Sequence, residues 1–157
     1  MDPQRYIVEK IEAEMTEIGE FSWLKFISET SMLAVENYPA LLVEDDKPYG
    51  TENMMGDGVN VTRIGEYIIS LIVPIPNLKD MTRDDYKASK KLAIKYIEQV
   101  ESFICSKWKE NASITEEEVT MSIIGLGFEK AEMGFVEIDS QPQLILQMPV
   151  TARYILS

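Results

Sequence analysis

The sequence contains no histidine and only one cysteine, Cys105, among its 157 residues. Histidine is the commonest general base in enzymes, and zinc and haem sites draw mainly on histidine and cysteine. The composition therefore argues against zinc, haem and Cys/His catalysis. A single cysteine also excludes an intrachain disulfide, and the expected role of Cys105 is that of a small thiol, buried or half-buried in a helix.

Long apolar runs are missing as well. No stretch approaches the roughly 20 apolar residues that a membrane-spanning helix requires. The N-terminal residues, MDPQRYIVEKIEAEM, carry charges throughout and lack the apolar centre of a signal peptide. The sequence predicts a soluble product that is made in the cytoplasm and has no membrane partner.

Basic residues are scarce relative to acidic ones, 15 against 27, which gives a formal net charge of −12. Proteins that bind phosphate backbones electrostatically need positive charge, so sequence-specific nucleic-acid binding is not expected. An acidic surface does suit a channel through which DNA slides without sticking. The length, with 45% apolar and 27% charged residues, is typical of one folded domain spanning residues 1–157.

Catalytic motifs are also absent. The sequence has no glycine-rich phosphate loop, nucleophile elbow or paired cysteine ligands. The acids between Glu44 and Thr62 lack the alternate spacing of a calcium loop. We therefore expect a non-enzymatic protein with no catalytic residues, cofactor, metal or small-molecule substrate. An enzyme would need a site assembled from carboxylates and tyrosines.

The first helix is predicted from its start signal. Asp2 supplies an N-cap acceptor, and Pro3 occupies the first helical position, where its missing N–H has no cost. An apolar stripe then continues from Ile7 to Ile18, so we expect an amphipathic helix that ends near Gly19.

A second, longer helix is predicted between Thr82 and Trp108, because Ala93, Ile97, Val100 and Ile104 form one apolar line at helical spacing. Thr82 and Asp85 have the spacing of a capping box. Lysines 87, 90, 91 and 95 form a basic patch on this helix. A solvated helix face or a bridge to an acidic neighbouring subunit explains the patch better than a nucleic-acid contact does.

Strands are predicted on both sides of the long helix. A short strand starts at Pro39, and residues 63–73 form a strand that is apolar on both faces. We expect helices to cover one face and another subunit to cover the other. Ile68 and Ile69 should therefore lie in different environments, one in the subunit core and one at an interface.

The C-terminal strands carry two irregularities. The apolar alternation that begins at Val119 changes parity at Ile124, which indicates a bulge or a bend at Gly125 and Gly127. The last strand alternates strictly from Leu144 to Leu156, and Pro149 within it indicates an edge position or a bulge. Together, the pattern predicts an α+β fold with an antiparallel or mixed sheet of about four to five strands and both helices packed on one face.

Residues 44–62, EDDKPYGTENMMGDGVNVT, form a long polar connection, and connections of this length usually serve binding or assembly. Two adjacent methionines in so polar a context suit an adaptable contact with a neighbour. The candidate subunit-contact residues are Glu44, Asp45, Asp46, Tyr49, Met54, Met55, Ile69 and Arg153.

The order of these elements resembles the tail-terminator (tail-completion) proteins of tailed bacteriophages. The resemblance rests on an aromatic-Pro-Ala before a strand, an apolar-Pro before the helix and an aromatic residue near the end of the last strand. The segments that carry it are YPALLVEDD, RIGEYIISLIVPIP, DDYKASKKLAIKYIEQVESFICSKW, SIIGLGFEKAEMG and LILQMPVTARY.

The resemblance implies a virion protein that forms a homo-oligomeric ring, commonly a hexamer, in contact with neighbouring tail, neck or connector proteins. DNA would cross the lumen without sequence-specific binding, and the residues that line the lumen are not indicated. The last strand would offer an edge for pairing between sheets. The long 21–35 segment and the lysine patch suit a different connector with twelvefold symmetry. The other reading is a small acidic cytoplasmic adaptor or inhibitor that binds a basic partner.

Overall fold

The computed structural model describes residues 2–29, 35–46, 52–54, 62–75 and 82–157. These residues form two helices and one mixed sheet. The elements in chain order are α1 (Pro3–Glu12), β1 (Phe26–Ser28), β2 (Ala40–Asp45), β3 (Glu52–Met54), β4 (Thr62–Pro74), α2 (Arg83–Glu110), β5 (Ser113–Glu116), β6 (Val119–Phe128), β7 (Glu132–Ile138) and β8 (Gln141–Leu156).

Helix α1 begins as predicted, because the Asp2 carboxylate accepts a hydrogen bond from the backbone N–H of Arg5 at 3.2 Å. It ends at Glu12, well before Gly19. The chain then makes tight turns in which the N–H of Phe21 donates to the carbonyl of Glu14. These turns bury Phe21 completely and leave Ile18 99% exposed, so the prediction of a buried stripe reaching Ile18 was wrong.

The aromatic residues that follow α1 pack on α2. Phe21 meets Phe103 edge to face, with ring centroids 4.9 Å apart, and Trp23 stacks on Tyr96. The indole N–H of Trp23 also donates to the side-chain oxygen of Gln99 at 3.1 Å. The aromatic segment thus ties the end of α1 to the middle of the long helix.

Helix α2 has the predicted capping box. The Thr82 hydroxyl accepts from the N–H of Asp85 at 3.2 Å, and the Asp85 carboxylate accepts from the N–H of Thr82 at 3.0 Å. These hydrogen bonds to Thr82 lower the pKa of Asp85. The buried line of α2, which includes Ala93, Ile97 and Val100, matches the apolar stripe seen in the sequence.

The sheet has the order β1-β2-β4-β8-β6-β5, with β3 beside β4 and β7 beside β8. Strand β1 is parallel to β2, and the other pairs are antiparallel. The α+β class, the mixed sheet and the two helices are therefore confirmed, whereas four to five strands was too low a number. The additional strands β1, β3 and β5 are too short to show a convincing alternation.

Strands β6 and β7 pair with the same side of β8. Met121–Phe128 pairs with the C-terminal half of β8, and Glu132–Ile138 pairs with its N-terminal half. They act as one long strand interrupted at residues 129–131. The register shifts between Ile123 and Gly125, which confirms the predicted bulge.

Strand β8 lies in the middle of the sheet, which corrects the prediction that it offers an edge. The N–H and C=O of one residue point to the same side of an antiparallel strand. Because the Pro149 carbonyl accepts from the N–H of Glu129 at 3.0 Å, the missing N–H of Pro149 falls at the break between β6 and β7. Proline is tolerated there because no ladder bond is needed.

Both helices cover the same face of the sheet, which we call the inner face. The core on this face joins α1, α2 and the inner side chains of β2, β4, β6 and β8. The opposite, outer face carries a smaller buried cluster of Ala40, Leu42, Ile72 and Ile145. Other side chains of the same chain, including Phe26, Val136 and Ile138, pack against this cluster and partly cover it.

Candidate subunit interface

The acidic residues at the end of β2 lie at the surface. Glu44 is half-buried, and Asp45 and Asp46 are exposed. Partial burial raises the pKa of Glu44, and burial together with the negative charge of Asp2 raises that of Asp45. The N–H of Asp46 donates to the carbonyl of Glu66 at 3.0 Å, so the sheet pairing extends to this residue.

The long polar segment at 44–62 contains strand structure at both of its ends and within it. Strand β3 pairs antiparallel with the start of β4, with Met54 opposite Thr62. Only the backbone is described for Met54. Tyr49 and Met55, two of the predicted contact residues, lie outside the described residues.

The two isoleucines of β4 occupy different faces. Ile69 is fully buried on the inner face beneath the helices, so its side chain is not available to a neighbour. Placing Ile69 among the contact residues was therefore incorrect. Ile68 is half-buried on the outer face, opposite Glu44 on one side and Pro149 on the other. The expected division between core and surface holds, with Ile68 on the exposed side.

Arg153 also lies on the outer face. It is exposed and sits opposite Gly125 of β6 and Ile64 of β4. Gly125 and Gly127 leave a shallow depression of about 290 Å³ between Arg153 and Thr151. Within the described part of the chain, the Arg153 guanidinium makes no salt bridge. The outer face thus brings Glu44, Ile68 and Arg153 onto one side of the sheet, as exposed or half-exposed groups.

The element that the sequence did not reveal is an open edge. Among the described residues, β7 has β8 as its only partner, and β5 covers only the Val119–Ser122 part of β6. The backbone groups along the other side of Ile124–Phe128 and of β7 therefore have no strand beside them. We call this stretch the open edge. An alternation pattern cannot show it, since neighbouring strands are set by long-range pairing.

The open edge carries two large exposed apolar side chains. Ile124 at the bulge is 50% exposed, and Phe135 in the middle of β7 is 60% exposed. The Phe135 ring stacks on Tyr86 of α2, with centroids 5.9 Å apart. Long unpaired edges are sites of pairing with another chain unless they are short, charged or covered. The exposed aromatic at its centre makes this edge the strongest candidate contact surface.

The lysine patch of α2 begins one residue after Tyr86, next to the open edge. Lys87, Lys90, Lys91 and Lys95 are all exposed. None of them forms a salt bridge with any residue that the structure describes. In a chain of net charge −12, these four lysines form a local basic surface, of the kind that suits contact with an acidic group.

No group of three or more Cys, Asp or Glu side chains among the described residues is arranged to hold a metal ion. None of the described helices combines the length and the apolar character needed to cross a membrane.

Comparison with known proteins identifies no family, so the function of this chain is argued from its geometry. Neither the models of known protein families nor the curated proteins match this chain.

Proposed function

We propose that this chain is a non-enzymatic structural protein of a tailed-phage virion, which forms a ring at the tail or neck junction through which DNA passes. The open edge carries the proposal. Strand β7 has seven residues, an exposed aromatic side chain, β8 on one side and no described strand on the other, so it is suited to completion by a second copy.

The topology favours a ring over a closed dimer. The open edge is on one side of the sheet, and the other side ends in β1, which pairs with Ala40–Leu42 at the start of β2. A contact between two different surfaces is heterologous, and such contacts close into rings when the rotation permits. A hexamer is the stoichiometry that the resemblance implies, with a dodecamer as the alternative.

The charge of the chain supports passage of DNA rather than binding. Exposed acids are distributed over the turns after α1, the β5–β6 hairpin and the start of β7, including Glu17, Glu117 and Glu132. An acidic lumen repels phosphate, so DNA can move without sticking. Neighbouring tail, neck or connector proteins would contact the two ends of the ring.

The experiment is negative-stain microscopy together with sedimentation velocity on the purified chain, alone and with its tail or neck partner. Rings are expected in at least one condition. Phe135→Glu should remove them, because it places a charge at the centre of the open edge. Val119→Glu is the matched control, since Val119 is also exposed but its strand partner Glu116 covers that edge. Persistent monomers in both conditions contradict the proposal.

The second candidate is a small acidic adaptor that binds a basic partner. It is favoured by the acidic surface around α1, where burial and the charge of Asp2 raise the pKa of Glu29. The nearby Arg5 is engaged by Glu9 at 2.8 Å and Glu116 at 3.2 Å. A salt-sensitive one-to-one complex with a basic protein, without rings, would favour this function.

A further inference from the structure

The lysine patch of α2 contains a row of three residues on one side of the helix. Lys87, Lys91 and Lys95 are spaced by four residues, so their side chains follow one another along the helix surface. All three are exposed, and none forms a salt bridge with a residue that the structure describes. We call them the lysine row. Like charges at this spacing destabilise a helix, and a carboxylate partner would offset that effect.

Lys90, the fourth lysine of the patch, has a different environment. It lines a groove of about 540 Å³ between α2 and the connection from β6 to β7. Glu98, Glu101 and Glu129 line the same groove, together with Lys130. The charge of Lys90 is therefore met by acids of its own copy, and the lysine row carries the rest of the positive charge of the patch.

Three carboxylates gather where α1, β1 and β2 meet. Strands β1 and β2 are parallel, so Glu29, which follows β1, and Asp45, the last residue of β2, lie at the same end of these strands. Burial raises the pKa of both residues, and the negative charge of Asp2 raises both further. The three carboxylates thus lie close enough to repel one another. We call them the acidic cluster.

The cluster is not neutralised by its own surroundings. Against burial and the neighbouring acids, the positive charge of Arg5 lowers the pKa of Glu29. The Arg5 guanidinium is already held by Glu9 at 2.8 Å and by Glu116 at 3.2 Å. One cation that is shared with two further acids cannot balance three more carboxylates.

The lysine row of the same copy lies too far away to do so. The Tyr6 hydroxyl donates to the carbonyl of Asn111 at 2.6 Å, so the start of α1 packs at the C-terminal end of α2. With a rise of 1.5 Å per residue, Lys95 lies about 24 Å and Lys87 about 36 Å from Asn111 along the helix. The Debye length is about 8 Å at physiological ionic strength. None of the charges that act on Glu29 or Asp45 belongs to α2.

The row and the cluster lie beside opposite sides of the sheet. The row begins next to Tyr86, whose ring stacks on Phe135 of the open edge. The cluster includes the residue that follows β1, and β1 ends the sheet on the other side. A head-to-tail contact between two copies can therefore bring the row of one copy to the cluster of the next.

We propose that the lysine row of one copy receives the acidic cluster of the neighbouring copy in the ring. The two surfaces are opposite in sign and carry three charges each. Complementary charge orients such a contact, and like charge prevents either surface from pairing with itself. The inference rests on the proposed ring and names two surfaces that meet between its subunits.

The experiment reverses each surface and measures assembly by sedimentation velocity, with the tail or neck partner present if the native chain requires it. The row variant is Lys91→Glu/Lys95→Glu, and the cluster variant is Glu29→Lys/Asp45→Lys. All four residues are exposed, so both variants should fold, which circular dichroism would verify. In each variant, the concentration at which half of the chains are assembled should rise at least about tenfold, because like charges then face each other.

Each variant has a control with the same change in net charge. Lys107→Glu/Lys109→Glu changes two lysines in the last turns of α2, and Glu12→Lys/Glu17→Lys changes two exposed acids at and after the end of α1. None of these residues belongs to the row or to the cluster. Both controls should assemble at the native concentration.

An equimolar mixture of the row variant and the cluster variant should restore rings of the native size. The reversed row then meets the reversed cluster at one contact, and the native row meets the native cluster at the next. The two variants must alternate around such a ring, which a hexamer or a dodecamer permits. Recovery in the mixture shows that the two surfaces meet each other.

The outcomes separate this contact from the ring itself. If either variant forms rings at the native concentration, or if the mixture does not recover them, the pairing is overturned and the ring stands. If the native chain forms open head-to-tail oligomers that both variants break and the mixture restores, the ring fails and the pairing stands. Persistent monomers of the native chain contradict both.

Discussion

Adjacent residues of β4 show how differently the two faces of this sheet are completed. Ile69 lies under both helices and has no exposed surface, whereas Ile68 lies on the outer face and retains some. The inner face is closed by the chain itself. Among the described residues, the cover of the outer face lies around Ile72 and Leu42, and Ile68 is half-buried. An apolar pattern on both faces of a strand shows that both need cover, but not which chain provides it.

The largest expected effect comes from Ile69→Asp. It would place an unpaired carboxylate in the inner core, at a cost of roughly 4 kcal/mol or more, and should abolish cooperative folding. Circular dichroism and thermal melting would show it. Ile69→Val, which should cost about 1 kcal/mol, is the control for a change of size without charge.

Ile68→Asp should give the contrasting result. The carboxylate can reach water on the outer face, so we expect a folded protein with a loss of about 1 kcal/mol or less. Assembly should be lost, because the charge lies on the outer face, which we expect another subunit to cover. Size-exclusion chromatography with light scattering distinguishes a folded monomer from a ring. If Ile68→Asp unfolds the protein, or if it forms normal rings, the proposed difference between the two faces is contradicted.

Thr82→Ala tests the stability of α2 without changing the proposed contact surfaces. Loss of the capping hydroxyl should lower the free energy of unfolding by about 1 kcal/mol, as measured by urea denaturation. The open edge keeps its residues, so ring formation at room temperature should persist. A variant that loses rings while remaining folded would show that assembly depends on the start of α2 more than the contacts indicate.

The smallest effect is a pH dependence at Glu44. Burial raises its pKa above the unfolded value, so the protonated carboxyl stabilises the fold fully below the unfolded pKa, and this contribution is lost as the pH rises through the folded pKa. Glu44→Gln should therefore raise Tm at pH 7 in the unassembled protein, with the gain fading as the pH falls toward about 4. Glu12→Gln, on the exposed side of α1, is the control. An equal gain at both pH values would contradict the assignment to burial.

Local signals in the sequence predicted the parts of the fold that local chemistry decides. The Asp2 and Thr82 caps, the buried line of α2 and the bulge beside Gly125 are all present. Each depends on residues that are close in the chain, where spacing and side-chain type are sufficient.

Long-range packing decided the features that sequence reasoning missed. The end of α1 is set by burial of Phe21 against Phe103, which no pattern around Ile18 reveals. Pro149 indicated an edge, yet it lies in a central strand at a break between two partners. Strand neighbours depend on the whole topology, so the open edge became visible only in three dimensions.

The most direct test of the central claim is hydrogen exchange of the β7 amides, compared between the assembled protein and the Ile68→Asp monomer. If a neighbour completes the open edge, amides in Glu132–Ile138 that are unpaired in the monomer should become protected on assembly. The amides of β4, which are paired on both sides over Tyr67–Ile72, should change little. Equal exchange of β7 in both states would contradict completion of the sheet by a second copy.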